Sequence, residues 1–121
     1  MMTPLRLKGD AGEDAAVSLL EQKGWKIAAR NWRWKYGELD IVAWDTDETL
    51  VFVEVKTRSN ENFGGPEAAM SVRKRNRIIR SAAAYMESVG YEWKIRFDLI
   101  AVIHNNDKLK DIRHIEDAFF Y

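Results

Sequence analysis

Cysteine is absent from the 121 residues, which excludes a disulfide scaffold and any thiolate-ligated metal and suits a reducing compartment. No apolar run approaches the roughly 20 residues that a bilayer-spanning helix needs. The opening "MMTPLRLKGDAGEDAAVSLL" has no apolar stretch ahead of its first acids, so neither a membrane anchor nor a secretory leader is expected. The expected location is the cytoplasm, with no membrane partner. A charge excess is missing too, because 19 Lys plus Arg balance 19 Asp plus Glu. Affinity for a polyanion must therefore come from local clustering. Repeats, low-complexity tracts and Pro/Ser-rich linkers are also lacking, and a chain this short with 46% hydrophobic residues can bury one core but not two. A single domain over residues 1–121 is expected.

What is present is a succession of recognisable elements. Ala16, Leu19, Leu20 and Lys23 fall at three- and four-residue steps, predicting a helix from about Gly9 to Lys23 that Gly24 ends. "WKIAARNWRW" (25–34) has strand composition, and alternation would put Trp32, Trp34 and Tyr36 on one face. Residues 38–44 and 49–57 are rich in Val, Ile, Phe and Trp around the acidic turn "DTDE", which predicts an antiparallel hairpin. A Gly-Gly-Pro loop at 64–66 precedes a helix over about 71–89, capped by Ser71, stopped by Gly90 and striped with Val72, Ile79, Ala82, Ala83 and Met86. "KIRFDLIAVIH" (94–104) is a near-continuous apolar run, as in a strand covered on both faces. A strand, a helix and a strand imply a crossover, so this strand should lie parallel to 49–57. "IRHIEDAFF" is expected to form a small terminal element.

The hairpin carries chemistry. Val51, Val53 and Val55 point one way and Phe52, Glu54 and Lys56 the other, and a register with Asp40 across from Glu54 or Lys56 gathers two carboxylates and an ammonium. A slip by one would bury Asp40 among valines, so the apolar pattern favours the clustered register. Paired carboxylates repel, which raises a pKa or calls for a cation, and an all-oxygen donor set suits Mg²⁺ or Mn²⁺. With a lysine alongside, this is equipment for metal-assisted phosphodiester hydrolysis. The rival reading, a solvated ion-pair cluster, is the usual fate of a Glu-x-Lys in a strand. Against it, Phe52 and Val42 share the face, and the acids sit among strong strand formers.

These motifs resemble the YraN-like family of small uncharacterised bacterial proteins, whose fold is like that of restriction endonucleases (the PD-(D/E)xK superfamily) and archaeal Holliday-junction resolvases. The likeness rests on "GDAGEDAA", "ARNWR", "GELDIVA", "VFVEVKTR" and "RFDLIAV", in that order along nearly the whole chain. It implies an α/β restriction-endonuclease-like αβββαβ core with a mixed sheet flanked by helices. It further implies Asp40 and Glu54 as metal ligands, Lys56 as the catalytic lysine, and Glu13 of the first helix as an additional acid. Within the matching motifs, Arg58 would contact phosphate and Asp98 would cap or pair at a strand end. From residues alone, the preferred reading of Glu13 is an exposed first-turn acid favoured by the helix dipole.

Nucleic acid, DNA ahead of RNA, is the expected partner. "SVRKRNRIIRS" holds no acid and sets Arg73, Arg77 and Arg80 on one helix face, suited to phosphates or simply to solvent. "KIAARNWRWKY" interleaves cations with aromatics as stacking surfaces do, although core packing explains the rings equally well. His104 and His114 receive no role. A homodimer or a partner protein stays open. The rivals to a nuclease are a non-catalytic nucleic-acid-binding module of a repair or uptake assembly and a structural interaction protein.

Overall fold

A computed structural model describes residues 4–59, 70–106 and 108–119, with side chains from residue 11 onward. The described residues form α1 (Pro4–Gln22), β1 (Lys26–Trp34), β2 (Gly37–Trp44), β3 (Leu50–Arg58), α2 (Val72–Val89), β4 (Ile95–Asn105) and β5 (Lys108–Ile115). The strands make one mixed sheet in the order β1-β2-β3-β4-β5. All neighbours pair antiparallel except β3 and β4, which are parallel as the crossover requires. This is the expected αβββαβ order with a fifth strand added. The loop expected at 64–66 lies outside the described residues.

Both helices end through their glycines. Gly24 (φ 85°) and Gly90 (φ 69°) occupy the left-handed region that L side chains disfavour. At α1 the N–H of Gly24 donates to Glu21 and that of Trp25 to Leu20, and at α2 Gly90 donates to Glu87 and Tyr91 to Met86. In each case the residue after the glycine joins the same apolar cluster as the one whose carbonyl it caps, Trp25 with Leu20 and Tyr91 with Met86. At the other end of α2, Ser71 Oγ accepts from the Lys74 N–H at 3.1 Å.

The sheet has two cores. On one face Ala16 and Leu20 of α1 pack with Ile41, Ala43, Val51, Val53, Ile100 and Val102. On the other, Ile78, Ala82 and Tyr85 of α2 pack with Val42, Leu50, Phe52 and Phe97. Trp32 meets Tyr85 edge-on at 5.3 Å and the Trp34 indole donates to Ser81 at 2.7 Å, so these two rings do share the α2 side.

Three expectations need correction. The first helix begins at Pro4 rather than near Gly9, because proline is well suited to a helix's first position and one glycine does not stop it. The buried stripe of α2 is Ile78, Ser81, Ala82 and Tyr85, while Val72 is 61% exposed and Ala83 faces solvent. The Ser71 cap sets that phase. Finally, the terminal element is a full edge strand starting at Lys108, hidden from an apolar-pattern reading because "KLK" is the polar, exposed kind of sequence that protects a sheet edge.

Candidate active site on the α2 face of the sheet

The site begins with an irregularity. Leu39 and Val42 both pack into the α2-side core although they are three residues apart, so regular alternation is broken between them. Across β1, the break lies between the Arg30–Ile41 and Trp32–Leu39 pairs, where Asn31 has φ 51°. Asp40 sits at the break. The β2–β3 ladder runs up to the Ile41–Val53 pair, and one further step of that register sets Asp40 beside Glu54. Where β2 backbone would otherwise continue the ladder, the Asp40 side chain takes over, with Oδ2 accepting from the Val55 N–H at 2.9 Å. The clustered register is the one observed.

Glu54 is only 8% exposed, on the same face as Phe52. Burial and then the Asp40 charge push its carboxyl up to about 8, against the pull of Lys74. Burial also raises Asp40, opposed by the Val55 N–H and a hydrogen bond with Glu54. The two carboxyls therefore titrate as a pair, both raised by burial. Lys74 Nζ, from α2, stands 3.3 Å from Glu54 Oε1. Burial, followed by the hydrogen bond and charge of Lys74, lowers the half-buried Lys56 to about 8. Lys74 is pushed the other way. Burial would lower it, but its hydrogen bond to Lys56 and the Glu54 and Asp40 charges raise it. Two ammonium groups side by side have thus divided their roles, Lys74 keeping its proton and Lys56 giving its up more readily.

This donor set fits a hard divalent cation. Asp40 and Glu54 offer only oxygen, their carboxyls are crowded together, and Lys74, the cation paired with them among the described residues, is held by a single long contact at 3.3 Å rather than by a bidentate pair. A second group, Asp98, His114 and Glu116, brings ligand atoms within 4.8 Å of one another on β4 and the β5 end, but it does not fit a metal. The Arg96 guanidinium already binds Asp98 through Nε at 2.8 Å and Nη2 at 2.9 Å, and reaches Glu116 at 3.4 Å. An incoming cation would meet a fixed positive charge.

The other expected residues are spread around this centre. Arg58 shares the parity of Glu54 and Lys56 and is half-buried, donating to the Thr57 carbonyl at 3.2 Å. Arg73, Arg77 and Arg80 are exposed on α2. Of these, Arg77 lines a groove of about 540 Å³ with Arg33, Trp34, Gly37, Glu38, Ile78 and the site's own Glu54 and Lys74. Glu13 is half-buried on α1, the helix of the opposite face, next to Gly12. A side chain at Gly12 would strike Thr57, its Cβ only 2.3 Å from Oγ1, so α1 needs glycine to seat on β3 there. Asp98 is on the α1 face, apart from the acid pair, in a network that includes His114. Sequence reasoning missed Lys74. Its signal was the Ser71 cap, which makes Lys74 the third helical residue and phases it with Ile78, Ala82 and Tyr85 toward the sheet.

Comparison with known proteins gives a consistent result. Residues 12–102 match the model of the uncharacterised protein family UPF0102. A UPF0102 protein of Bacteroides thetaiotaomicron is 49% identical over 112 residues, covering 93% of this chain and 91% of its own. Relatives in Prosthecochloris aestuarii and Rhodococcus jostii are 44% and 40% identical, covering 93% and 92% of this chain and 92% and 94% of theirs. Among solved structures, Pyrococcus furiosus SfsA in complex with Ca²⁺ is similar at 16% identity and a TM-score of 0.37, covering 93% of this chain and 63% of that one. A likeness that remote carries no argument. Among the described residues, no helix is long and apolar enough to cross a membrane.

Proposed function

The chain belongs to the uncharacterised family UPF0102, a name that assigns no chemistry, and from its site we propose a metal-dependent nuclease that hydrolyses phosphodiester bonds in DNA. The observation that carries this reading is the buried Asp40–Glu54 pair with two lysines against it, one of them, Lys56, lowered to about 8. Like charges held this close in a partly buried groove are the arrangement by which catalytic sites shift their pKa values.

Asp40 and Glu54 would hold Mg²⁺ or Mn²⁺, which when bound supplies Lewis-acid charge for a phosphate oxygen and an acidified water. Asp40 is held in place by the Val55 N–H, so its orientation does not depend on the ligand. Glu54 would serve as a ligand in its ionised form. Lys56, near neutrality, is suited to take a proton from the attacking water. Lys74, if displaced from Glu54, and Arg77 on the same groove would offset phosphate charge. The αβββαβ order and the Asp…Glu-x-Lys spacing agree with a restriction-endonuclease-like ancestry. The Lys74–Glu54 ion pair favours one rival, a binding module that grips nucleic acid without cutting it, because there the ammonium would stand permanently where a metal otherwise goes.

The test pairs calorimetry with cleavage. Purified protein is titrated with Mn²⁺, then incubated with supercoiled, single-stranded and branched DNA with Mn²⁺ or chelator, beside Asp40→Asn and Glu54→Gln. Expected are metal binding and chelator-sensitive cutting in the wild type, with cleavage reduced at least about 100-fold in both variants. A wild type that neither binds Mn²⁺ nor cuts overturns the nuclease reading, and salt-dependent binding without cutting leaves the binding module.

A further inference from the structure

The turn between β1 and β2 is clamped to the middle of α2. Trp34 donates to Ser81, and a Cβ at Gly37 would lie 2.6 Å from Ser81 Oγ, so any larger residue there would push that hydroxyl out of its bond with the indole. The clamp presents Tyr36. Its ring packs edge-on against Trp34 at 5.2 Å yet stays 54% exposed, with Lys35 Nζ 5.2 Å and Arg80 Cζ 5.7 Å from its centroid. Trp34 lines the groove that leads to Glu54 and Lys74, and Arg77 lines it from α2. The two basic stretches of the sequence, one on β1 and one on α2, thus meet around one exposed ring that packs on Trp34, itself a wall of the groove.

We propose that this groove seats a single strand of nucleic acid, with Tyr36 as the ring on which an unpaired base stacks and Arg77 and Arg80 as its phosphate contacts. In naming the ligand this rests on the phosphodiester reading above. A paired base has both faces covered within the duplex, so a presented phenol ring finds a partner only in an unpaired one. Lys35 and Arg80 hold the ring through cation–π contacts of the weak, exposed kind, so a base can exchange for either, freeing that cation for the adjoining phosphate. Arg33 is tied by an exposed bridge to Glu38, with side chains 76% and 52% exposed, and is similarly available. With no net charge on the chain, such a local cluster is the means by which a polyanion can be held.

Fluorescence anisotropy with a short labelled single-stranded oligonucleotide and a blunt duplex of the same sequence, in chelator and low salt, tests this without cleavage. The single strand should bind several-fold more tightly than the duplex. Tyr36→Ala should weaken it about tenfold while Tyr36→Phe, which keeps the ring, should not. Arg77→Ala with Arg80→Ala should weaken binding and flatten its log–log salt slope by about 0.7 for each phosphate no longer neutralised. Circular dichroism confirms that the exposed-site variants fold. No binding, equal binding of both forms, or indifference to Tyr36→Ala overturns the proposal. Parallel incubation with Mn²⁺ separates the two readings, since single-strand binding without cleavage sinks the nuclease alone, and cleavage untouched by Tyr36→Ala with no strand preference sinks this seat alone.

Discussion

Asp98 and Glu54 are both buried acids, one on each face of the same sheet, and the protein treats them oppositely. Asp98 is wholly enclosed and wholly answered. Arg96 donates twice, His114 Nε2 stands at 2.8 Å and the Asp117 N–H at 3.0 Å. Burial would raise its carboxyl, but these bonds outweigh that and hold it below the usual range. The shell is itself held, with Arg96 bound to Asp45 at 3.1 Å and Lys23 donating to His114 Nδ1 at 2.8 Å, which leaves Nε2–H to face Asp98. Glu54 has a like-charged neighbour and an ion pair at 3.3 Å, and it is pushed up to about 8. The Asp98 network ties β4 and β5 to the turn after β2. Glu54 has its partners too, but it keeps them beside a second carboxylate that works against its charge.

The largest expected effect tests the satisfied side. Asp98→Ala leaves the Arg96 guanidinium half-enclosed without its main partner, and breaking a buried pair from one side costs about 3–5 kcal/mol. Equilibrium urea unfolding should show that loss, and a change below about 1 kcal/mol would mean that the network contributes little. Lowering pH should mimic the substitution. Because the folded Asp98 is depressed, its stabilisation is fully present above the ordinary 3.8 and is lost as pH falls through the lower folded value.

Glu54 should behave in the opposite sense. Its folded value is raised from 4.5 to about 8, so between those pH values the unfolded chain has ionised it and the native state has not. The native state then binds more protons, and stability falls with rising pH across that window and levels off above it. Glu54→Gln should remove most of this decline and make the metal-free protein as stable as the wild type or more so at about pH 8. The stability–pH curve measured by chemical denaturation decides it. A variant that is less stable at that pH would show that Glu54 belongs with Asp98 as a structural acid.

The two acids were not equally legible. Side-chain alternation put Glu54 and Lys56 on one face, and the cost of burying Asp40 among valines selected the register, so three members of the site followed from period-two geometry. Lys74 did not, because its approach to Glu54 depends on how α2 is rotated against the sheet, which Ser71 sets across a long stretch of chain. The break at Asn31 and Asp40 was hidden as well, since a left-handed asparagine in a strand leaves no apolar signature. The Asp98 network escaped for another reason. It needs β5 beside β4, and β5 is an edge strand whose first residues are polar. His104 and His114 looked alike in sequence, and register alone distinguishes them.

Lys74 offers the finest test of the contrast. It stands 3.3 Å from Glu54 with its side chain 34% exposed, so the ion pair itself is worth no more than about 1 kcal/mol once water screens it. If the acid pair is a cation site, the ammonium is a tethered competitor, and a divalent ion entering must first displace it. Lys74→Met keeps the aliphatic stem and removes the charge. Metal-free stability should then drop by about 1 kcal/mol or less, while Mn²⁺ should bind several-fold more tightly by calorimetry, and Glu54 should titrate still higher because a charge that pulled it down is gone. At Asp98 the same logic runs in reverse: neutralising Arg96 should bring only destabilisation and no metal affinity, because the partners that remain were built around the guanidinium. Weaker Mn²⁺ binding in Lys74→Met would identify the lysine as part of the ligand-binding arrangement rather than a placeholder, and would move Glu54 toward the class of answered acids that Asp98 represents.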